Sequence, residues 1–213
     1  MNFAFSTMFP ITNDNTEYEL IENDYISFKT FQNKNILLIQ PEALKIITEN
    51  AFYKISHFYR SSHLKLLKKI LDDKEASKND HFVALTMLKN ANISASGVLP
   101  MCQDTGTAII NGYRGKNIFT DFNEEKELSR GIYNSYQKYN LRFSQLAPIS
   151  MFEEKNTNNN LPGEINLYAA EGNEYKFTFI QKGGGSANKS FLYQQTKAIL
   201  NPKDLKKFLH DII

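Results

Sequence analysis

A chain of 213 residues with 41% hydrophobic and 23% charged residues has the composition of a folded globular protein and excludes wholesale disorder. Its formal net charge is only +2 and its basic residues are scattered, so no electrostatic footprint for nucleic acid stands out. The single cysteine excludes an internal disulfide, and no apolar run approaches the roughly eighteen residues needed to span a membrane.

Residues 1–20 carry Asp14, Glu17 and Glu19 and no arginine, unlike a transit peptide, and they lack the charged-then-apolar order of a signal peptide. A cytoplasmic location is the expectation. Residues 1–40 read as irregular structure with short strands, of which Asn35–Gln40 is the clearest apolar run. Pro41 suits the first position of a helix, where its missing N–H would be unpaired anyway, and Leu44, Ile47, Ala51, Ile55 and Phe58 then form a stripe. A second helix is predicted from near Ser62, with Leu64, Leu67 and Leu71 on one face. A third follows Ser77, with Phe82, Leu85 and Leu88 inward and Asp72–Glu75 as a solvated link before it.

Further on, Thr107–Asn111 reads as a short buried strand, and Glu124–Tyr139 as an amphipathic helix with Leu128, Ile132 and Tyr136 in register. Lys155–Asn160 is a polar loop. Two alternating runs, Ile165/Leu167/Ala169 and Tyr175/Phe177/Phe179, flank Glu171-Gly172-Asn173-Glu174, which predicts a β-hairpin. A glycine loop follows the second run and leads toward a helix expected from near Ser190. Asn201 then caps a last helix, with Pro202 in its first turn and Leu205, Phe208, Leu209 and Ile212 as its stripe. Its apolar end at Ile212-Ile213 reads as a face meant to pack against something supplied later, which suggests a truncated chain. The elements together predict one continuous α+β unit, a helical amino-terminal part followed by a small, largely antiparallel sheet with helices.

Two runs carry the chemistry. In the first, Met101-Cys102-Gln103-Asp104-Thr105-Gly106-Thr107-Ala108, the only thiol lies beside a carboxamide, a carboxylate and two hydroxyls. A free cysteine is most often an inert, buried thiol, but such a cysteine is expected to have apolar neighbours. A cysteine nucleophile would need His57, His63, His81 or His210 as its base, and three of these lie on predicted helices without supporting spacing. The second run is Lys182-Gly183-Gly184-Gly185-Ser186-Ala187-Asn188-Lys189. A strand, a glycine turn and a helix start would form an anion cradle from bare backbone N–H groups. Neither a Walker loop nor GxGxxG fits this run, so a small anion is indicated rather than a nucleotide.

These two runs, with Gly97-Val98-Leu99-Pro100 and Asn140-Leu141-Arg142-Phe143-Ser144-Gln145, resemble those of the class I fumarases, the iron–sulfur fumarate hydratases. The stretch from about Tyr25 to Ile213 is similar to the amino-terminal domain of that family. The resemblance implies a hydro-lyase that converts fumarate and (S)-malate reversibly, with a [4Fe-4S] cluster as Lewis acid. It implies that Cys102 is a cluster ligand, that Gln103 and Asp104 contact substrate, and that Asp104 handles the hydroxyl proton. Arg142 would clamp a carboxylate, and Gly185, Asn188, Lys189, Ser190, Phe191, Leu192, Tyr193 and Gln194 would complete the pocket. Only one of the three cluster cysteines expected in the family is present, so this chain by itself is expected to be inactive and, when full length, to form a homodimer. The alternatives are a tartrate dehydratase-type hydro-lyase and a cluster-free dicarboxylate-binding or scaffolding module.

Overall fold

The computed structural model describes residues 17–21, 24–101, 106–184 and 190–212. The chain divides into two units, Met1–Gly183 and Gly184–Ile213.

In the first unit, β1 (Ile26–Phe31) and β2 (Lys34–Ile39) form an antiparallel hairpin with Gln32 and Asn33 at positive φ (47° and 59°), as a tight two-residue turn requires. Pro41 opens α1 (Pro41–His57) as its ring chemistry suggests. The stripe differs from expectation. Leu44, Thr48, Phe52 and Ser56 form the fully buried line, Ile47, Ala51 and Ile55 are half-buried, and Phe58 is 42% exposed. The helix is covered on two sides, by α4 (Glu124–Lys138) and by β8 (Tyr175–Lys182), and the closest approach selects small residues. Thr48 and Ser56 tolerate burial because their hydroxyls donate back to the carbonyls of Leu44 (2.7 Å) and Phe52 (2.6 Å).

The helices α2 (Ser61–Asp72) and α3 (Lys78–Ser94) pack on each other. Ser77 and Asp80 cap α3 reciprocally, which fixes its start where Ser77 predicted. The predicted inward face of α3 is corrected by the structure. Phe82 (68%) and Leu85 (43%) are exposed and Leu88 is half-buried, whereas Ala84, Ala91 and Ser94 are buried. Small side chains let α3 lie close against its neighbours, and larger ones turn outward.

The strand β3 (Thr107–Gly115) runs four residues beyond the predicted Asn111, and β4 (Ile118–Phe119) follows it to pair in parallel with β2. Leu128, Ile132 and Tyr136 of α4 are buried as predicted. The short strands β5 (Leu146–Pro148) and β6 (Glu154–Asn156) form a separate antiparallel pair. The hairpin expectation is overturned. Strand β7 (Glu164–Ala170) and β8 do not pair with each other, because β3 lies between them, parallel to β7 and antiparallel to β8. Alternation identifies the inward face of a strand but not its neighbour, and β3, buried at Ala108, Ile110 and Gly112, needs partners on both edges. The linking residues instead cross the end of β3, where the amides of Gly115 and Asn117 donate to the carbonyls of Glu174 and Gly172.

The core lies between the β7-β3-β8 sheet and the α1–α4 pair. Phe52 meets Phe179 edge-on (5.8 Å, 80°) and Tyr136 at 6.3 Å, and Phe52, Ile110, Leu128 and Ile132 have no exposed surface. Each such side chain contributes about 1.5–3 kcal/mol by leaving water.

In the second unit, residues 190–196 have no regular structure, a 3₁₀ turn spans Lys197–Ile199, and α5 covers Pro202–Ile212. The helix expected from near Ser190 is therefore absent among the described residues; without an apolar stripe and a surface to bury it, a short helix does not form. Asn201 caps α5 as predicted, accepting from the Asp204 amide at 3.0 Å.

Candidate functional site

Antiparallel pairing sets Thr107, the first residue of β3, opposite Lys182, the last residue of β8. The Cys102 run enters β3 and the glycine run leaves β8, so both runs join the same end of one sheet. The two backbones meet closely there. Gly106 has φ +23°, and a Cβ on it would overlap the carbonyl oxygen of Lys182, so only glycine fits.

Both flanks of the cysteine run are anchored. Before it, the amide of buried Met101 donates to the carbonyl of Ser56 at 2.8 Å, near the end of α1. The Ser56 hydroxyl accepts from Nε2 of Gln181 at 3.1 Å, and Gln181 also hydrogen-bonds Tyr136. Burial pushes the Tyr136 phenol up to about 12, with the Gln181 contact opposing that rise, so it stays neutral at physiological pH.

After the run, Gly106 is held by Asn160, a fully buried residue at φ 56° in the loop before β7. Its Nδ2 donates to the Gly106 carbonyl at 2.9 Å, and its Oδ1 accepts from the amides of Ser144 and Gln145, each at 3.0 Å. The Thr107 hydroxyl adds a bond to Oε1 of Gln145 at 2.9 Å. Arg142 thereby lies on a short segment between two fixed points. Leu141 is buried in the core behind it, and Ser144 is tied to the motif strand ahead of it. Asn140, at φ 56°, ends the preceding helix in the left-handed conformation that asparagine tolerates. Arg142 itself is exposed.

Of the site residues predicted from sequence, Cys102, Gln103, Asp104, Gly185, Asn188 and Lys189 lie outside the described residues. Arg142 is brought to the end of β3 by the ties above. Ser190, Phe191, Leu192, Tyr193 and Gln194 belong to the second unit, where they are exposed and without regular structure. Without a helix start after the glycine run, the helix-dipole part of the anion cradle is withdrawn. Sequence reasoning missed Asn160, Ser56 and Gln181. Asn160 read only as part of a polar loop; its one signal was an amide side chain just ahead of an apolar Leu-Pro pair.

Among the histidines, His57 is fully buried, donating from Nδ1 to the Tyr53 carbonyl (2.8 Å), while Nε2 has no hydrogen-bond partner among the described residues. His63 packs on Tyr59 and His81 contacts the Asp73 carbonyl. No group of three or more histidine, cysteine, aspartate or glutamate side chains able to hold a metal gathers among the described residues. A second polar cluster, Arg114–Glu124–Thr120–Tyr175, sits toward the opposite end of β3, roughly 23 Å from Thr107 by strand rise, and is structural.

A family model described as fumarate hydratase (Fumerase) matches residues 46–213. The chain is 53% identical over 203 residues to "Fumarate hydratase 1, mitochondrial" of Leishmania major, covering 94% of this chain and 37% of that protein. It is 51% identical over 207 residues to "Fumarate hydratase class I, anaerobic" of Escherichia coli K12, and 49% identical to the aerobic enzyme of that strain. Each of these alignments covers 97% of this chain and 38% of the relative. The chain therefore spans a little over a third of the length of these relatives. No helix of the described residues is long and apolar enough to cross a membrane.

Proposed function

From the premise that this chain belongs to the class I fumarate hydratase family, we propose that it supplies one part of the site of a hydro-lyase that hydrates fumarate reversibly to (S)-malate. The observation that carries the reading is the pairing of Thr107 with Lys182, which roots both motif runs at one sheet end, with the Arg142 segment tied beside them.

The roles follow from residue chemistry. Arg142 presents a planar guanidinium that grips one carboxylate of the substrate through two parallel N–H bonds. The glycine run, Gly183 to Gly185, lets backbone N–H groups approach the other carboxylate without side chains in the way. Gln103 orients the substrate by hydrogen bonding, and Asp104 accepts and returns the hydroxyl proton.

Cys102 is proposed as one ligand of the [4Fe-4S] cluster that the resemblance implies. A cluster with one open iron needs three cysteines, and this chain has one thiol among its 213 residues. The chain's own donors therefore do not fit a complete cluster, and what they supply is a single thiolate.

The test is a chimera in which these residues replace the matching stretch of the E. coli anaerobic enzyme, reconstituted anaerobically and assayed on fumarate, malate and tartrate. Fumarate–malate turnover is expected, and Cys102→Ser is expected to abolish it together with the visible iron–sulfur absorption. A folded chimera that prefers tartrate, or one that keeps its full spectrum after Cys102→Ser, overturns the reading.

A further inference from the structure

We propose that Asn160 is a positioning residue that fixes the Arg142 segment, at Ser144 and Gln145, relative to Gly106, where the cysteine run enters β3; the inference rests on the substrate roles assigned above to Asp104 and Arg142. Asp104 lies two residues before Gly106, and Arg142 lies two residues before Ser144. One side chain joins those two anchor points. Its Nδ2 donates to the Gly106 carbonyl at 2.9 Å while its Oδ1 accepts from the Ser144 and Gln145 amides at 3.0 Å each.

The geometry points to spacing rather than to generic loop closure. A carboxamide is planar and rigid, so its donor and acceptor lie at a fixed separation, and both ends of this one are engaged across 54 and 16 residues of chain. The residue is wholly buried, so water does not substitute for either contact. It also holds φ 56°, a conformation that asparagine adopts more readily than most residues, which keeps the bridge in place. Thr107 runs a second, half-buried strap to the same segment through Oε1 of Gln145 at 2.9 Å. Two independent straps between the same pair of segments fix how the Arg142 clamp on a carboxylate stands to the strand that carries the Asp104 run, as a substrate held at a carboxylate and at its hydroxyl requires.

The experiment uses Asn160→Asp in two settings. Asp keeps the acceptor for Ser144 and Gln145 but sets a carboxylate against the Gly106 carbonyl, so it disturbs one arm alone. In the fumarate-competent chimera, kcat/KM is expected to fall between about ten- and a hundredfold. The effect should shrink to within about twofold when Arg142→Ala is already present, because a misplaced clamp no longer matters once the clamp is gone. In the intact 213-residue chain, amide exchange at Ser144 and Gln145 should stay slow in Asn160→Asp. If Asn160→Asp fails to fold, Thr107→Val removes the outer strap from a half-buried site; it should lower kcat/KM in the same direction, and again only while Arg142 is present.

Effects of Asn160→Asp that simply multiply those of Arg142→Ala, or faster exchange throughout the unit, would show a general structural role and overturn the proposal. Should Arg142→Ala leave kcat/KM unchanged, the clamp reading falls first and this inference falls with it. A loss with Arg142→Ala but additive behaviour with Asn160→Asp overturns the positioning role alone.

Discussion

Gly131 of α4 sits against α1, and replacing it with alanine sets two physical effects against each other. Intrinsic helix propensity favours Ala over Gly by up to about 1 kcal/mol. Packing opposes it. The new Cβ would lie 2.5 Å from Cβ of Thr48, 2.8 Å from its Cγ2 and 3.0 Å from the Lys45 carbonyl oxygen, where ordinary contact needs roughly 3.5–4.0 Å. Neither Thr48 Cβ nor the Lys45 carbonyl can rotate away, so the helices must separate, and overpacking of this kind costs about 1–3 kcal/mol. The cost should fall near the upper end, leaving Gly131→Ala destabilised by about 1–2 kcal/mol net. Urea unfolding followed by circular dichroism should show a lower midpoint with an unchanged slope, and thermal melting should drop by a few degrees. The pair Gly131→Ala with Thr48→Gly restores the space and should be coupled by about 1–2 kcal/mol. A neutral or stabilised Gly131→Ala would refute the claim that this contact fixes how closely α1 and α4 approach.

Burial pushes the Glu124 carboxyl up, but hydrogen bonds from Thr120 (2.5 Å), Tyr175 (2.5 Å) and Arg114 (2.8 Å) outweigh it and hold the group below its ordinary 4.5. A depressed folded-state value adds stability above the unfolded value, and that stability disappears as pH falls through the folded one. Glu124→Gln should therefore cost about 1–3 kcal/mol at pH 7 and flatten the decline in urea midpoint on acidification; parallel pH profiles for the two proteins would contradict this. In the fumarate-competent chimera, Arg142→Lys should raise KM by about tenfold, because an ammonium cannot reproduce a two-pronged contact. An unchanged KM would count against the clamp. Asp104→Asn should cut kcat by about a hundredfold or more while the iron–sulfur absorption persists; loss of that absorption would make Asp104 a structural residue instead.

Helix starts and periods were legible in the sequence because they depend on neighbouring residues. Pro41, Ser77 and Asn201 mark their helices through ring geometry or side-chain oxygens acting within a few positions, and Leu128, Ile132 and Tyr136 bury together because they recur every four residues. The two motif runs were legible as marks of the family, because residue type and order carry a resemblance without any tertiary contact. What tertiary structure alone decided is which elements meet. Alternation placed Tyr175, Phe177 and Phe179 on one face but did not reveal that β3 inserts between β7 and β8. Hydrophobicity pointed to Ile47, Ile55 and Phe82, yet close helix contacts buried Thr48, Ser56 and Ala84, because a tight crossing rewards small side chains. Asn160 shows the same limit at the site: its bonds reach Gly106 and Ser144 across 54 and 16 residues, and no local pattern encodes a partner that only folding brings within 3.0 Å.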